Sequence, residues 1–138
     1  MKFLISILVV LFSFITSSIK AQNKKITVTV VNATSDVGKI GFSLYAKDNF
    51  MRIPIQGKEG KIKEGKSTIV FENVPEGEYA VICFHDKNNN DQMDFSANGM
   101  PLEDYGASNN ALNPYGPPTF DSAKFIVSDK NVSLAIKF

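Results

Sequence analysis

The sequence predicts a small all-β protein, an antiparallel β-sandwich of about seven strands with one long acidic loop. Apolar and polar residues alternate in six segments, which is the pattern of strands that bury one face. Clusters of Gly, Pro, Asn and Asp separate these segments, and no window keeps the period of an amphipathic helix. These observations indicate a single two-layer β domain with an Ig-like or a prealbumin-like topology.

The first three predicted strands show the alternation in its simplest form. Their inward apolar residues are Ile26, Val28 and Val30, then Ile40, Phe42 and Leu44, and then Ile69 and Phe71. The polar segment 32–38 forms the turn between the first two strands. We expect a further short strand near residues 50–55. Residues 58–66 are rich in Gly, Lys and Glu, and we expect them to form an exposed hairpin or loop.

The predicted central strand runs from Glu78 to about His85 and is apolar on both faces. Its two faces are Tyr79, Val81 and Cys83 on one side and Ala80, Ile82 and Phe84 on the other. Such a strand is typically covered on both sides by other parts of the domain. Two closing strands follow, one within residues 123–127 and one within residues 132–138, and a polar turn separates them.

The N-terminal segment has the features of a secretory signal peptide. Met1 and Lys2 precede an apolar run over residues 3–15, and small and polar residues then lead to Ala21. The run is too short to span a bilayer comfortably, so an uncleaved anchor is the weaker interpretation. We therefore expect residues 1–21 to be removed, which leaves residues 22–138 as a single exported domain, periplasmic or extracellular.

Charge and cysteine content narrow the function classes. Without residues 1–21 the chain has 13 basic and 14 acidic side chains, and this balance does not indicate a nucleic-acid partner. Cys83 is the sole cysteine, so it cannot form an internal disulfide. A domain of 117 residues can bury one core. We expect its stability to come from packing, with a bound metal as a further contribution.

A long connection, residues 86–121, carries a concentrated negative charge. It contains six carboxylates, one basic residue, Lys87, and no convincing strand or helix. Connections of this length in compact domains are usually functional or disordered. Carboxylates gathered in one segment repel one another, and a bound cation would neutralise them and order the backbone.

Oxygen-bearing side chains occupy every second position at the start of this connection. They are Asp86, Asn88, Asn90, Gln92 and Asp94. Their spacing matches offsets one to nine of a calcium-binding loop, in which Gln92 would coordinate through its backbone carbonyl. Asp91 stands where that pattern has Gly, and Ala97 stands where an EF-hand has its bidentate Glu. A complete EF-hand is therefore excluded.

Calcium is the predicted cofactor, with Glu103 or Asp104 completing the ligand shell. Hard oxygen ligands favour calcium over zinc or copper. The alternative is a cluster of Asx turns, in which Asn and Asp side chains satisfy the backbone of the loop and no metal is needed. The sequence leaves both interpretations open.

An ordered series of motifs resembles the bacterial family called domain of unknown function 2141. The motifs are Val74 to Val81, His85-Asp86, the Asn-rich segment 88–94, Gly99 to Glu103, Tyr105 to Asn110, and Pro117 to Phe120. The likeness covers nearly the whole chain after residue 21. It implies an exported β-sandwich domain without an established activity or ligand.

A second group of residues in the connection has the composition of a ligand surface. It consists of Tyr105, Ser108, Asn109, Asn110, Tyr115 and Phe120. Aromatic faces beside amides and hydroxyls hold sugars or peptides in the loops of β-sandwiches. A cell-surface glycan or protein is therefore a candidate partner, bound with or without metal. The alternative is that the same side chains pack the connection onto the sandwich.

We expect no catalysis. His85 is the sole histidine, so a metal hydrolase would have a single nitrogen ligand, and a structural role fits this residue better. Cys83 is expected to be a small buried side chain. Glu103 and Asp104 are adjacent and point in opposite directions on an extended chain, which does not suit an acid–base pair. A hydrolase built from His85 and nearby carboxylates is the third alternative.

Overall fold

The computed structural model of the protein describes residues 22–138 and contains eight strands. They are β1 Lys24–Val30, β2 Lys39–Tyr45, β3 Gln56–Gly60, β4 Ser67–Val74, β5 Gly77–Asp86, β6 Tyr105–Ala107, β7 Phe125–Val127 and β8 Val132–Ile136. The helical segments are the 3-10 turns Lys47–Asn49 and Ser108–Asn110 and one short α-helix, α1, Phe120–Ala123. The predicted signal peptide lies outside the described residues. No helix within residues 22–138 has the length and hydropathy to cross a membrane.

The strands form two sheets that pack as a β-sandwich, which confirms the predicted fold class. The first sheet has the order β4-β1-β8, and the second has the order β3-β2-β5-β6, with β7 paired to the start of β5. Pairing is antiparallel except between β1 and β8, where Ile26 lies opposite Val132 and Val30 lies opposite Ile136. The predicted antiparallel pairing does not extend to this one pair of strands. The chain leaves β7 in the second sheet and returns to the first sheet before β8 begins.

The core lies between the two sheets and is built from the inward residues that the alternation predicts. Its largest fully buried side chains include Ile26, Ile40, Phe42, Leu44, Phe71 and Ile136. Each such side chain stabilises the fold by about 1.5–3 kcal/mol relative to leaving it exposed. The predicted inward faces of β1, β2 and β4 are thereby confirmed.

The third strand lies further along the chain than predicted. The expected strand near residues 50–55 is wrong, because that segment forms bends and β3 begins at Gln56. Phe50 packs edge-on against Tyr45 and Phe120, with ring centroids 5.7 and 5.6 Å apart, so it belongs to a side cluster. The β3 sequence lacks apolar alternation, and β3 is held at the sheet edge by its backbone pairing with β2.

The long acidic connection contains regular structure that the sequence did not predict. It includes β6, which pairs with β5, and the start of α1. Thr119 caps α1 by accepting a hydrogen bond from the Ser122 amide at 3.3 Å. Phe120 and Ala123 of α1 pack on Ala80 and Ala107, which form part of the outer face of the second sheet. One end of that face is therefore covered, and β5 is buried on both sides there, as its sequence predicts.

Candidate functional site

The loop from Asp86 to Asp104 is closed by two buried carboxylates that hold its backbone. Asp86, the last residue of β5, is 0% exposed and accepts the amides of Asn90 at 3.1 Å and Asp91 at 2.9 Å. Glu103 is 8% exposed and accepts the amides of Lys87 at 3.0 Å and Asp94 at 3.2 Å. Each carboxylate thus joins two separate points of the loop. Charge-assisted bonds of this kind are stronger than neutral ones.

Three polar side chains converge on the exposed side of this loop. The terminal amides of Asn88 and Asn90 donate to the two carboxylate oxygens of Asp94, at 2.7 and 2.8 Å. The side-chain oxygens of both asparagines accept backbone amides two residues on, at 3.3 Å from Asn90 and 3.0 Å from Gln92. These Asx turns hold the two side chains on the same side of the loop. We call Asn88, Asn90 and Asp94 the Asn-Asp trio.

The six predicted metal ligands are divided into an inner and an outer set. Asp86 and Glu103 face the backbone amides, whereas the Asn-Asp trio faces outward, and Gln92 is exposed. Within residues 22–138, no three Asp, Glu, His or Cys side chains come close enough together to hold a metal ion. The convergent group contains one carboxylate and two amide NH2 groups that donate to it, so it is not a cluster of carboxylates.

Two non-glycine residues of the loop adopt the left-handed backbone conformation. Asn89 has φ 57° and Asp91 has φ 63°. Asp91 is the residue at the position where a calcium loop has Gly, and Asn and Asp accept this conformation more readily than most residues. The sharp turn of the calcium-loop pattern is therefore formed here without glycine.

Lysines from outside the trio offset the negative charge of the loop. The Lys39 ammonium contacts the Asp91 carboxylate, lies 2.8 Å from Glu59 Oε1 and lies 3.9 Å from Asp86 Oδ2. The hydrogen bond between Lys39 and Asp91 raises the pKa of Lys39 and lowers the pKa of Asp91. Because both groups lie at the surface, solvent screens their attraction.

Asp104, at the end of the loop, is held by a second lysine and a hydroxyl. Its carboxylate accepts the Thr34 hydroxyl at 2.8 Å and lies 3.1 Å from the Lys87 ammonium. The Thr34 hydrogen bond, followed by the Lys87 contact, lowers the pKa of Asp104. The repulsion expected among the loop carboxylates is therefore partly relieved by the protein itself.

Sequence reasoning did not identify Lys39 as a partner of the loop. Lys39 lies in β2, 52 residues before Asp91, and no local motif connects the two residues. Its position follows from the pairing of β2 with β5, which places Lys39 opposite Asp86. A correct register for these two strands would have been the signal needed to find it.

The family assignment rests on a match over most of the folded chain. Residues 28–135 match the family model described as "Uncharacterized protein conserved in bacteria (DUF2141)". The chain belongs to this family. The predicted resemblance is thereby confirmed, and the match includes the whole acidic loop. No curated protein and no solved structure matched the chain.

Four of the six residues of the predicted ligand surface attach the connection of this DUF2141 domain to the sandwich. Ser108 and Phe120 are buried, and the Ser108 hydroxyl accepts the Val81 amide at 3.0 Å. Asn109 donates to the Lys124 carbonyl at 2.8 Å, and Asn110 accepts the Lys137 amide at 2.9 Å. The three polar side chains therefore satisfy backbone groups, Phe120 packs in a hydrophobic cluster, and the four do not form one open surface.

The other two residues of that predicted surface are accessible to solvent. Tyr115 is 97% exposed, and Tyr105 is partly exposed on β6. The six residues predicted as a ligand surface are thus not brought together as a single patch.

His85 of the DUF2141 domain lies inside the core and is 0% exposed. Its Nε2 lies 2.7 Å from the Val37 carbonyl oxygen, and its ring stacks on Phe138 at 6.4 Å between centroids. Cys83, on the same face of β5, is also buried, and desolvation raises the pKa of its thiol. Neither side chain can meet a substrate from solvent in this arrangement, which gives no support to a hydrolase built around His85.

Proposed function

We propose that this protein is an exported, non-catalytic β-sandwich domain whose Asp86–Asp94 loop binds calcium and thereby orders a recognition or stabilising surface. The observation that carries the proposal is the convergence of the Asn-Asp trio, in which both asparagine side chains reach the Asp94 carboxylate within 2.8 Å. These residues occupy offsets three, five and nine of the calcium-loop pattern.

The chemistry of the trio suits calcium better than other common metals. Calcium accepts carboxylate, amide and backbone carbonyl oxygens together with water, in a flexible geometry of six to eight ligands. The trio supplies one carboxylate and, once a cation replaces the NH2 donors at Asp94, two amide oxygens that keep lone-pair capacity beyond the Asx-turn bond. The Gln92 carbonyl is the next candidate ligand. Magnesium requires near-ideal octahedral geometry, which this irregular loop is less suited to provide.

Asp86 and Glu103 have a positioning role in this proposal. Both are buried and both accept backbone amides, so they fix the loop that presents the trio. With one carboxylate in the exposed group, the affinity should fall in the range of extracellular calcium modules, a dissociation constant of about 10⁻⁴–10⁻³ M. Such an affinity suits a domain exposed to the calcium concentrations outside a cell.

Export is supported by the sequence of residues 1–21, with its basic start, short apolar run and small residues before Gln22. N-terminal sequencing of the protein recovered from the bacterial envelope or medium tests this part of the proposal. A mature chain that begins at Gln22 agrees with it. A protein that keeps Met1 and is found with the cytoplasmic fraction would contradict it.

Thermal unfolding tests calcium binding. Residues 22–138 are treated with chelator and then titrated with calcium or with magnesium, because a ligand bound only by the folded state raises the melting temperature with its concentration. We expect a calcium-selective rise that is retained in Asn98→Ala, an exposed asparagine of the same connection outside the trio. An unchanged melting temperature would contradict the proposal. It would indicate that the hydrogen bonds of the loop order it without a metal.

A further inference from the structure

The uncovered half of the outer face of the second sheet forms a cleft beside the acidic loop. Where α1 does not cover this face, outward positions of β2, β3 and β5 line an open cleft of about 490 Å³. Its lining includes Gly41 and Ser43 from β2, Gly57 and Glu59 from β3, and Phe84 from β5. Asp91 of the acidic loop also contributes to the lining. The volume lies in the range of small-ligand sites, about 300–1,000 Å³.

Two glycines give the cleft its depth. A Cβ on Gly41 would lie 2.6 Å from the Phe84 ring, so the absence of a side chain allows that ring to pack against the β2 backbone. A Cβ on Gly57 would meet nothing within 4 Å, so the space beside this residue is open. Phe84 is partly exposed and gives the cleft an apolar surface next to this space.

The polar groups of the cleft are paired and held in place. Lys39 contacts both Glu59 and Asp91, and its side chain is 20% exposed. The exposed carboxylates of the lining are those of Glu59 and Asp91, because the Asp86 carboxylate is buried on the backbone amides of the loop. Lys39 supplies the ammonium group, whereas Lys58 lies opposite the core residue Phe42 and is on the other face of the sheet. The cleft therefore holds one ammonium group between two carboxylates, so a donor lies beside two acceptors.

This combination restricts the ligand class. An anionic ligand would face the carboxylates of Glu59 and Asp91, which share the single Lys39 ammonium group. A purely apolar ligand would remove water from these charged groups without replacing its hydrogen bonds. An uncharged polyhydroxyl compound satisfies both conditions, because a hydroxyl accepts from an ammonium group and donates to a carboxylate. The C–H face of such a compound can pack against an aromatic ring.

We propose that this cleft binds a neutral saccharide. One sugar face packs on Phe84, and the hydroxyl groups bond to the fixed network of Lys39, Glu59 and Asp91. The site differs from the Asn-Asp trio and from the residues that sequence analysis assigned to a ligand surface. Saccharide binding here does not require calcium, so the two proposals are tested separately.

A glycan array of neutral and uronic-acid oligosaccharides tests the proposal with residues 22–138, and calorimetric titration measures the affinity of the glycans that bind. We expect binding of neutral oligosaccharides in the presence of chelator. Gly57→Ile adds a side chain whose Cβ meets nothing within 4 Å and whose outer atoms would occupy the cleft, so it should weaken binding at least about tenfold. Glu59→Gln keeps the shape and removes a charged acceptor, so it should also weaken binding.

The matched control is Ser133→Ile, which adds the same side chain at an exposed position of β8 in the first sheet. It should leave saccharide affinity unchanged. Equal thermal stability of the two isoleucine variants excludes unfolding as the cause of any loss. Absence of neutral-glycan binding by the unsubstituted domain, a preference for uronic acids, or equal affinity of Gly57→Ile and Ser133→Ile would overturn the proposal.

Discussion

The terminal amide of Asn90 donates a hydrogen bond to the Asp94 carboxylate at 2.8 Å, across the exposed side of the acidic loop. Asn88 reaches the other oxygen of the same carboxylate at 2.7 Å. Asp94 is thus the centre of the trio. Among the described residues, the buried Asp86 carboxylate accepts only backbone amides and lies near one charged group, the Lys39 ammonium. Two carboxylates of one loop motif therefore have different roles, and they should respond differently to substitution.

Asp94→Ala should abolish calcium-induced stabilisation and leave the metal-free fold intact. The side chain accepts two exposed amide donors that water can satisfy in its place, and all eight strands lie outside the trio. Circular dichroism of the chelated protein should match that of the unsubstituted domain, and the calcium titration should become flat. A calcium response equal to that of the unsubstituted protein would remove Asp94 from the site.

Asp86→Ala should destabilise the domain even without metal. Its buried carboxylate satisfies the amides of Asn90 and Asp91, and leaving such groups without a partner costs about 1–3 kcal/mol. Asp86→Asn keeps one acceptor oxygen and should cost less. Urea unfolding in the presence of chelator measures both variants. If Asp86→Ala is as stable as the unsubstituted domain, the buried carboxylate does not hold the loop.

Asp104 should contribute stability that is lost in acid. The Thr34 hydroxyl and the Lys87 ammonium lower its pKa below the usual 3.8, so the folded state favours the charged form. The contribution is therefore present above the usual value and disappears as pH falls through the lowered pKa. The difference in unfolding free energy between the unsubstituted domain and Asp104→Asn should be largest at neutral pH and should shrink below about pH 4. A difference that does not change with pH would contradict this assignment.

Gly106→Ala should destabilise the domain because β6 passes close to the end of the chain. The added Cβ would lie 2.7 Å from Ile136 Cγ2 and 2.7 Å from the Lys137 carbonyl oxygen. Overpacking of this kind typically costs about 1–3 kcal/mol. Gly57→Ala is the matched control, since its Cβ meets nothing within 4 Å and should cost little. Equal unfolding free energies for the two variants would show that β6 can move away from β8.

The Cys83 thiol should be unreactive in the folded protein. It is 0% exposed, and burial raises its pKa, so little thiolate forms and reagents cannot reach it. Labelling with a thiol reagent should therefore follow the unfolded fraction as urea is increased. Rapid stoichiometric labelling in buffer without urea would show that β5 opens locally and would contradict the packing described here.

Period-two alternation was sufficient to predict most of the sandwich. Residues such as Val28, Phe42 and Phe71 are apolar at every second position, and a slip of one residue would expose the whole set, so their inward direction could be predicted from sequence. The β3 and β6 strands lack this signal. They pair through their backbones with β2 and β5. Short polar or Gly-containing strands have no alternation of apolar and polar residues from which they could be predicted.

The acidic loop was predictable in its local part only. The Asx turns of Asn88 and Asn90 and the turn at Asp91 follow from residue type, because these side chains bond to backbone groups close by in sequence. The positions of Lys39 and Glu103 depend on strand pairing and on the return of the chain to β6. No local pattern contains that information.

The most direct test of the central claim is a calcium titration of residues 22–138 followed by nuclear magnetic resonance. The side-chain amide signals of Asn88 and Asn90 report the bonds to Asp94 that a bound cation would replace. We predict that these signals, and the backbone amide of Gln92, shift progressively as calcium reaches millimolar concentrations and shift much less with magnesium. Signals that stay unchanged throughout the calcium titration would contradict the account and would leave an Asx-rich loop ordered by its own hydrogen bonds.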